Sequence, residues 1–330
     1  MKVGVVGGTG NISSSFIPLL LEKGHEVVCF NRGKSGNSHP QAKNVIVDRH
    51  DRMKFIESVR EERLDAGIDM ICFNRNDAEA SLEAFRDVSH FIHCSTVCTY
   101  GIKYRWLPVN EDHPLDPISD YGRNKVAADH VFLEAYHNEG FPVTLIKPST
   151  TYGPIMGIPR QIALEHSFID RIGKGKPILV CGDGTAIHQF LHVEDAALCF
   201  ANVLGKRHCI GQTYNLVKPD LTTWADYHRA VMKALGREVE MIGVPLRLLE
   251  KWKSPGVEIC AEIFAHNSYF ASEKLYRDIP EFRPLISLEE GVARVIESLD
   301  REGRIPDSDP LTWEDEFIRR METVIGAPHE

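Results

Sequence analysis

Short apolar runs alternate with amphipathic stretches through the first half of the chain, and the period of the pattern changes with them. Residues 2–6, 26–30, 44–47, 69–73, 90–94 and 143–147 are apolar runs of strand length. Helical spacing predicts helices near 11–23, 52–63, 77–86 and 119–139, the first carrying Pro18, which should kink it. Strand alternating with helix predicts an α/β fold, a doubly wound parallel sheet covered on both faces. Its ligand crevice is expected at the carboxyl ends of the strands, where the strand order reverses. Phe73 and Asn74, at the end of the fourth run, would then border that crevice.

After Gly153 the pattern breaks into shorter pieces, punctuated by Pro154, Gly157, Pro159, Gly173, Gly175 and Pro177. Helices are expected near 160–172, 194–204, 223–235, 287–299 and 311–323. Residues 1–153 therefore read as one domain and 154–330 as a second, with no repeat and no low-complexity tract.

The first turn carries candidate chemistry. The strand 2–6 runs straight into Gly7-Gly8-Thr9-Gly10-Asn11-Ile12-Ser13, and a helical pattern follows, closed by Lys23-Gly24. Strand, glycine turn and helix form the context in which a dinucleotide pyrophosphate sits at a helix N-terminus. Gly7 allows the tight turn, and Gly10 lets backbone approach the anion; Thr9, Asn11 and Ile12 complete the set of expected contacts. Ser13 stands where a third glycine usually gives close helix–strand packing. The second strand ends in Asn31-Arg32-Gly33-Lys34 with no acid, which tilts the expectation from NAD(H) to NADP(H). Asp48 has two readings, contact with the adenine side or capping of the next helix.

A second constellation lies at Tyr121 and Lys125. Four residues apart on a helix, they share one face. The ammonium should favour the phenolate and lower the tyrosine pKa from its usual value of about 10, giving a proton carrier near neutral pH. The Thr96 hydroxyl, in Ser95-Thr96-Val97-Cys98-Thr99-Tyr100-Gly101, is the candidate partner for the same substrate oxygen.

Taken together, these motifs resemble the extended short-chain dehydrogenase/reductase family, in particular the nucleotide-sugar epimerases and dehydratases. The family's glycine pattern falls on Gly7, Gly10 and Ser13, and its catalytic set on Thr96, Tyr121 and Lys125. Lys147-Pro148-Ser149-Thr150 is similar to its strand-end motif beside the nicotinamide, and Gly182-Asp183-Gly184 through His188 to Asp195 to its substrate-domain signature. The resemblance implies a Rossmann-type domain, NAD or NADP bound by the glycine turn, Asn31, Arg32, Asp48, Phe73, Asn74, Tyr121, Lys125 and Pro148, and a smaller C-terminal α/β lid that binds substrate. It also implies that strands near 178–181 and 213–216 return to the first domain, that Thr150 and His188 contact substrate, and that helices 77–86 and 119–139 pair two subunits into a homodimer.

The activity so implied is epimerisation of a sugar or nucleotide sugar through a transient ketone. Net reduction or oxidation with the same residues is the alternative. Dehydration is disfavoured because Val97 and Cys98, rather than an acid pair, follow Thr96. Three positions depart from the family's usual residues: Lys147 and His188 stand where arginine is common, and Thr150 where asparagine is. Losing arginine's planar fork weakens the case for a nucleotide diphosphate. The Asn31–Lys34 turn further resembles a branch of chloroplast RNA-associated proteins, a non-catalytic third reading.

Composition narrows the rest. Of 330 residues, 43% are hydrophobic and 26% charged, ordinary for a globular protein. A net charge of −9 argues against a general nucleic-acid or anionic-membrane surface. No stretch approaches the roughly 20 apolar residues of a membrane span and no leader precedes the first strand, so a cytoplasmic protein is expected. The eight cysteines include no C-x-x-C pair and the 15 histidines no metal-site spacing, so no metal is expected.

Overall fold

The computed structural model describes residues 1–163 and 165–326, and the chain divides into two units. The first comprises Met1–Thr151, Leu191–Pro219 and Phe270–Leu285; the second comprises Tyr152–Phe190, Asp220–Tyr269 and the chain from Ile286 onward. Residue 164, inside the helix expected over 160–172, and residues 327–330, at the end of the expected second domain, lie outside the described residues.

Seven parallel strands build the first unit: β1 (Lys2–Val6), β2 (Glu26–Asn31), β3 (Lys43–Ile46), β4 (Ala66–Asp69), β5 (His90–Cys94), β6 (Val143–Pro148) and β7 (Thr213–Leu216). Their order is β3-β2-β1-β4-β5-β6-β7, so the direction of winding reverses between β1 and β4. Alternate side chains leave a strand on opposite faces, and the two cores follow that rule. Val3 and Val5 with Val27 and Cys29 pack under α1 (Ser13–Glu22) and α5 (Val193–Val203), where Phe16 stacks on Phe200 at 5.4 Å. Val6, Val28 and Phe30 face the other way with α2 (Arg52–Glu61), α3 (Arg75–Ala84) and α4 (Asp120–Glu139). Pro18 lies within α1, which is continuous across it.

Two strand expectations are corrected. The fourth strand is residues 66–69, not 69–73. A Cβ on Gly67 would come within 2.4 Å of the Phe85 ring, so β4 needs glycine where a strand normally avoids it, and the apolar run after Asp69 leaves the sheet as a loop. Strand 178–181 does not join the large sheet; it pairs in parallel with Met241–Val244 inside the second unit. The strand 213–216 is β7.

In the second unit, helix Trp224–Ala234, begun by a capping box between Thr223 and Asp226, packs against Leu288–Arg301 over Phe168, Phe190, Trp224, Tyr227 and Val295. A further cluster gathers Leu179, Val244, Leu249 and Phe317 of helix Trp313–Gly326. The eight cysteines form no disulfide among the described residues, and all but Cys98 are buried. Among the described residues no helix is long and apolar enough to cross a membrane, and no cluster of His, Cys, Asp and Glu could hold a metal ion.

Candidate active site

The glycine turn after β1 opens at the strand switch point. Gly7 has φ of +82°, and a Cβ there would stand 2.7 Å from Ile71. Ser13 takes more than a packing role. Its buried hydroxyl donates to the Gly7 carbonyl at 2.7 Å and accepts the Gly10 N–H at 2.8 Å, closing the turn on itself. The N-cap residue of α1, Ile12, offers no side-chain hydrogen bond and no acid lies in the first turn, which leaves the positive helix end suited to an anion. These features fit a dinucleotide pyrophosphate. Replacing Ser13 by alanine removes both bonds at once. The expected result is a nucleotide Kd raised about tenfold in a fluorescence titration with NADPH. An unchanged Kd would mean the turn is held by other contacts.

A cavity of about 320 Å³ continues from this turn, lined by Gly7, Thr9, Gly10, Asn31, Arg32, Asp48 and Phe73 among others. Ile12 is nearly buried behind it, and Asn11 is partly buried. The Asn31 carboxamide donates to Asn44 at 3.2 Å, while Arg32 is exposed. Of the two readings of Asp48, capping is excluded: α2 is capped by Asp51. The exposed Asp48 carboxyl is held below its ordinary pKa by the His50 N–H first, then by the charges of His50, Arg32 and Lys34.

The loop from β4 to α3 forms one wall and is fixed by charges the sequence pattern did not single out. Asp69 accepts Arg49 Nη1 at 3.0 Å, the Ser81 hydroxyl at 2.5 Å and the Ile71 N–H at 3.0 Å. Asp77 accepts the Phe73 N–H at 2.9 Å, and the Asp77 carbonyl takes Arg49 Nη2 at 2.8 Å. Asn74, expected at the cofactor, caps α3 by accepting the Asp77 N–H at 3.0 Å. The usable signal was a lone acid inside an apolar run, which must find a cation when buried.

The helix α4 starts at Ser119, whose side chain accepts the Gly122 N–H at 3.0 Å. Gly122 leaves no room for a side chain: a Cβ would stand 2.8 Å from the Cys98 carbonyl oxygen. That close approach sets the first turn of α4, with Tyr121, beside the loop that carries Thr96, whose hydroxyl accepts the Cys98 N–H at 3.2 Å. One turn later Lys125 is buried, and its ammonium donates to the carbonyls of Cys72 at 2.8 Å and Cys94 at 2.7 Å. It thereby ties the β4–α3 loop to the end of β5. Its Nζ lies 4.9 Å from the Phe73 ring centre and 5.9 Å from that of Tyr121.

The expected fall in the Tyr121 pKa is corrected. Tyr121 is 44% exposed. Burial, then the neighbouring thiols of Cys98 and Cys94, push the phenol well above its ordinary value, and the nearby Thr96 hydroxyl opposes them only in part. Lys125 spends its charge on carbonyls rather than on the phenol.

Pro148 ends β6 beside Leu216, and Thr150, partly buried, follows it. Lys147 is buried and paired with Asp129, so its exchange for arginine carries no information about a phosphate contact. His188 belongs to the second unit and lies among aromatic rings, stacked on Trp224 at 5.0 Å and edge-on to Phe264 at 5.3 Å. Burial pushes its pKa down to about 3, so it offers no positive charge to a diphosphate.

Residues 3–216 match the model of the NAD dependent epimerase/dehydratase family. Over 99% of its length the chain is 26% identical to 2'-dehydrokanamycin reductase of Streptomyces kanamyceticus, covering 93% of that protein. It is 27% identical to chloroplast stem-loop binding protein of 41 kDa b of Arabidopsis thaliana, over 88% of this chain and 77% of that one. Among solved structures, UDP-glucuronic acid 4-epimerase from Bacillus cereus, in complex with UDP-glucuronic acid and NAD, superposes with a TM-score of 0.74 at 19% identity, covering 92% of this chain and all of that one.

Proposed function

The chain belongs to the NAD dependent epimerase/dehydratase family, and on that premise we propose that it reduces a ketone on a sugar or sugar-like substrate, with NADPH as hydride donor. The carrying observation is Tyr121, whose ring lies 6.5 Å from that of Phe73 on the wall of the nucleotide cavity and whose phenol is kept protonated chiefly by burial. A proton donor is what ketone reduction requires, because the oxygen gains a proton as the carbon gains a hydride. The nicotinamide, when bound, supplies that hydride. Thr96 hydrogen-bonds the carbonyl oxygen and stabilises its developing charge. Tyr121 gives its proton to the same oxygen, and Lys125 keeps both walls of the site in register through Cys72 and Cys94.

Epimerisation, the activity the resemblance implies, uses the same residues from the alcohol side, but it asks Tyr121 to begin as a base. The elevated phenol pKa favours the reductive direction. The neutral, enclosed His188 favours a substrate without a diphosphate handle at that position. The likeness, over 99% of this chain, to a protein named 2'-dehydrokanamycin reductase points the same way. The intact Thr96, Tyr121 and Lys125 set and the net charge of −9 speak against a dedicated RNA binder.

The test is to identify the nucleotide released on denaturation, then to follow NADPH oxidation with keto-sugars. Reduction predicts an exchangeable site and NADPH consumption in step with product. Tightly retained NAD, with conversion of a sugar to its epimer and no net redox change, would overturn it. Arg32 should carry the choice between the dinucleotides. Arg32→Ala is expected to weaken NADPH about 10- to 100-fold, the loss of one charge-assisted contact, and to leave NADH affinity within about threefold.

A further inference from the structure

A buried ion pair lies directly behind the loop that carries Thr96. Asp129, one turn beyond Lys125 on α4, meets Lys147 of β6 at 2.8 Å. Both side chains also reach the loop. The Ser95 hydroxyl donates to Asp129 Oδ2 at 2.8 Å. Lys147 Nζ donates to Thr99 Oγ1 at 2.7 Å and lies 5.0 Å from the Tyr100 ring centre. The Thr99 hydroxyl in turn donates to the carbonyl oxygen of Thr96 at 2.9 Å. From the ammonium to the backbone of Thr96 the connection is thus two hydrogen bonds long. Cys94, two residues before Thr96, is held separately by Lys125.

A buried ion pair is a poor source of stability, because desolvation offsets most of the Coulombic gain. Its use here lies in where its bonds go: to Ser95, to Thr99 and, through Thr99, to Thr96. We propose that Asp129, Lys147 and Thr99 are positioning residues that fix the Thr96 hydroxyl against Tyr121. The proposal rests on the reading that Thr96 orients the reacting oxygen. The effect can be large, since a misplacement of about 1 Å in a reacting constellation costs up to about 10²-fold in rate.

Thr99→Val removes the linking hydroxyl and leaves the ion pair in place. With NADPH and a keto-sugar, kcat should fall at least about tenfold, while KM and the NADPH Kd move less than about threefold; Thr99→Ser should restore kcat. Exchange of the amides of residues 98, 99 and 101 should accelerate about tenfold while that of α4 stays put. In a Thr96→Ala background, Thr99→Val should have no further effect on kcat, because it acts through the group already removed. Multiplicative losses in that background, or wild-type kcat and wild-type exchange in Thr99→Val, would overturn the proposal. If Thr96→Ala itself leaves turnover intact, the reading of the active site fails, and the exchange rates still decide whether the ion pair holds the loop. Should Thr99→Val not fold, Ser95→Ala loosens the loop from the Asp129 side. An exchange rate rising about fivefold at residues 98–101 supports the proposal, and an unchanged one overturns it.

Discussion

Tyr121→Phe is expected to lower kcat by about 10³-fold while leaving the NADPH Kd within about threefold of wild type. The substitution removes one oxygen and keeps the ring, so the contact between Phe73 and the residue 121 ring, with centroids 6.5 Å apart, persists. What is lost is the proton that neutralises the alkoxide formed by hydride addition. Water, which is not held in place beside the reacting oxygen, is a poor replacement. The signature distinguishes Tyr121 from its neighbour on α4. Lys125 holds two backbone carbonyls, so Lys125→Met should damage nucleotide binding and turnover together. Steady-state kinetics and a nucleotide titration on both variants separate the two roles. Near wild-type turnover in Tyr121→Phe would end the catalytic assignment.

Local periodicity made the frame of this site legible, and burial made the rest illegible. The glycine turn and the four-residue spacing of Tyr121 and Lys125 are short-range facts, fixed by the strand–turn–helix context and by helix geometry. The strand β4 was displaced by three residues in the reading because Gly67 counts against a strand locally, while Phe85, brought in by the fold, requires it. Arg49 and Asp69 lie 20 residues apart and meet only when β4 enters the sheet. Motif position casts His188 as a substrate residue and Lys147 as a departure from arginine that weakens the case for a diphosphate. A sequence gives a motif's position but not its depth, and both side chains are buried, one in an ion pair and the other among rings. The tyrosine pKa failed for the same reason: charge proximity was visible along the helix, but desolvation was not.

Stability should collapse between pH 6.5 and 4, and buried histidines set that window. His90, His188 and His228 are all buried, with pKa values pushed down to about 4, about 3 and about 4 by loss of solvent. In the unfolded chain each returns to about 6.5. Between those values the unfolded state binds a proton that the folded state refuses, so falling pH favours unfolding; above 6.5 neither state is charged and the full stability is present. Geometry agrees with neutrality at His90, where Nδ1 accepts the Gly205 N–H at 2.9 Å and so cannot carry a proton. Each shift corresponds to roughly 3 kcal/mol at the acid end of the window, and the three together fall within the roughly 5–15 kcal/mol that holds a typical domain folded. The lowered carboxylates act elsewhere: Asp129, held down chiefly by Lys147, contributes stability that is lost only as pH falls below about 4. Urea titrations from pH 7.5 to 4 should therefore show stability falling by at least about 4 kcal/mol per pH unit near pH 5, with uptake of at least about three protons on unfolding, since burial lowers His93 as well. His188→Phe, which keeps an aromatic ring beside Trp224, should reduce that uptake by about one proton and extend the stable range toward acid. A protein as stable at pH 4.5 as at pH 7.5 would show that these three rings are not held neutral by the fold.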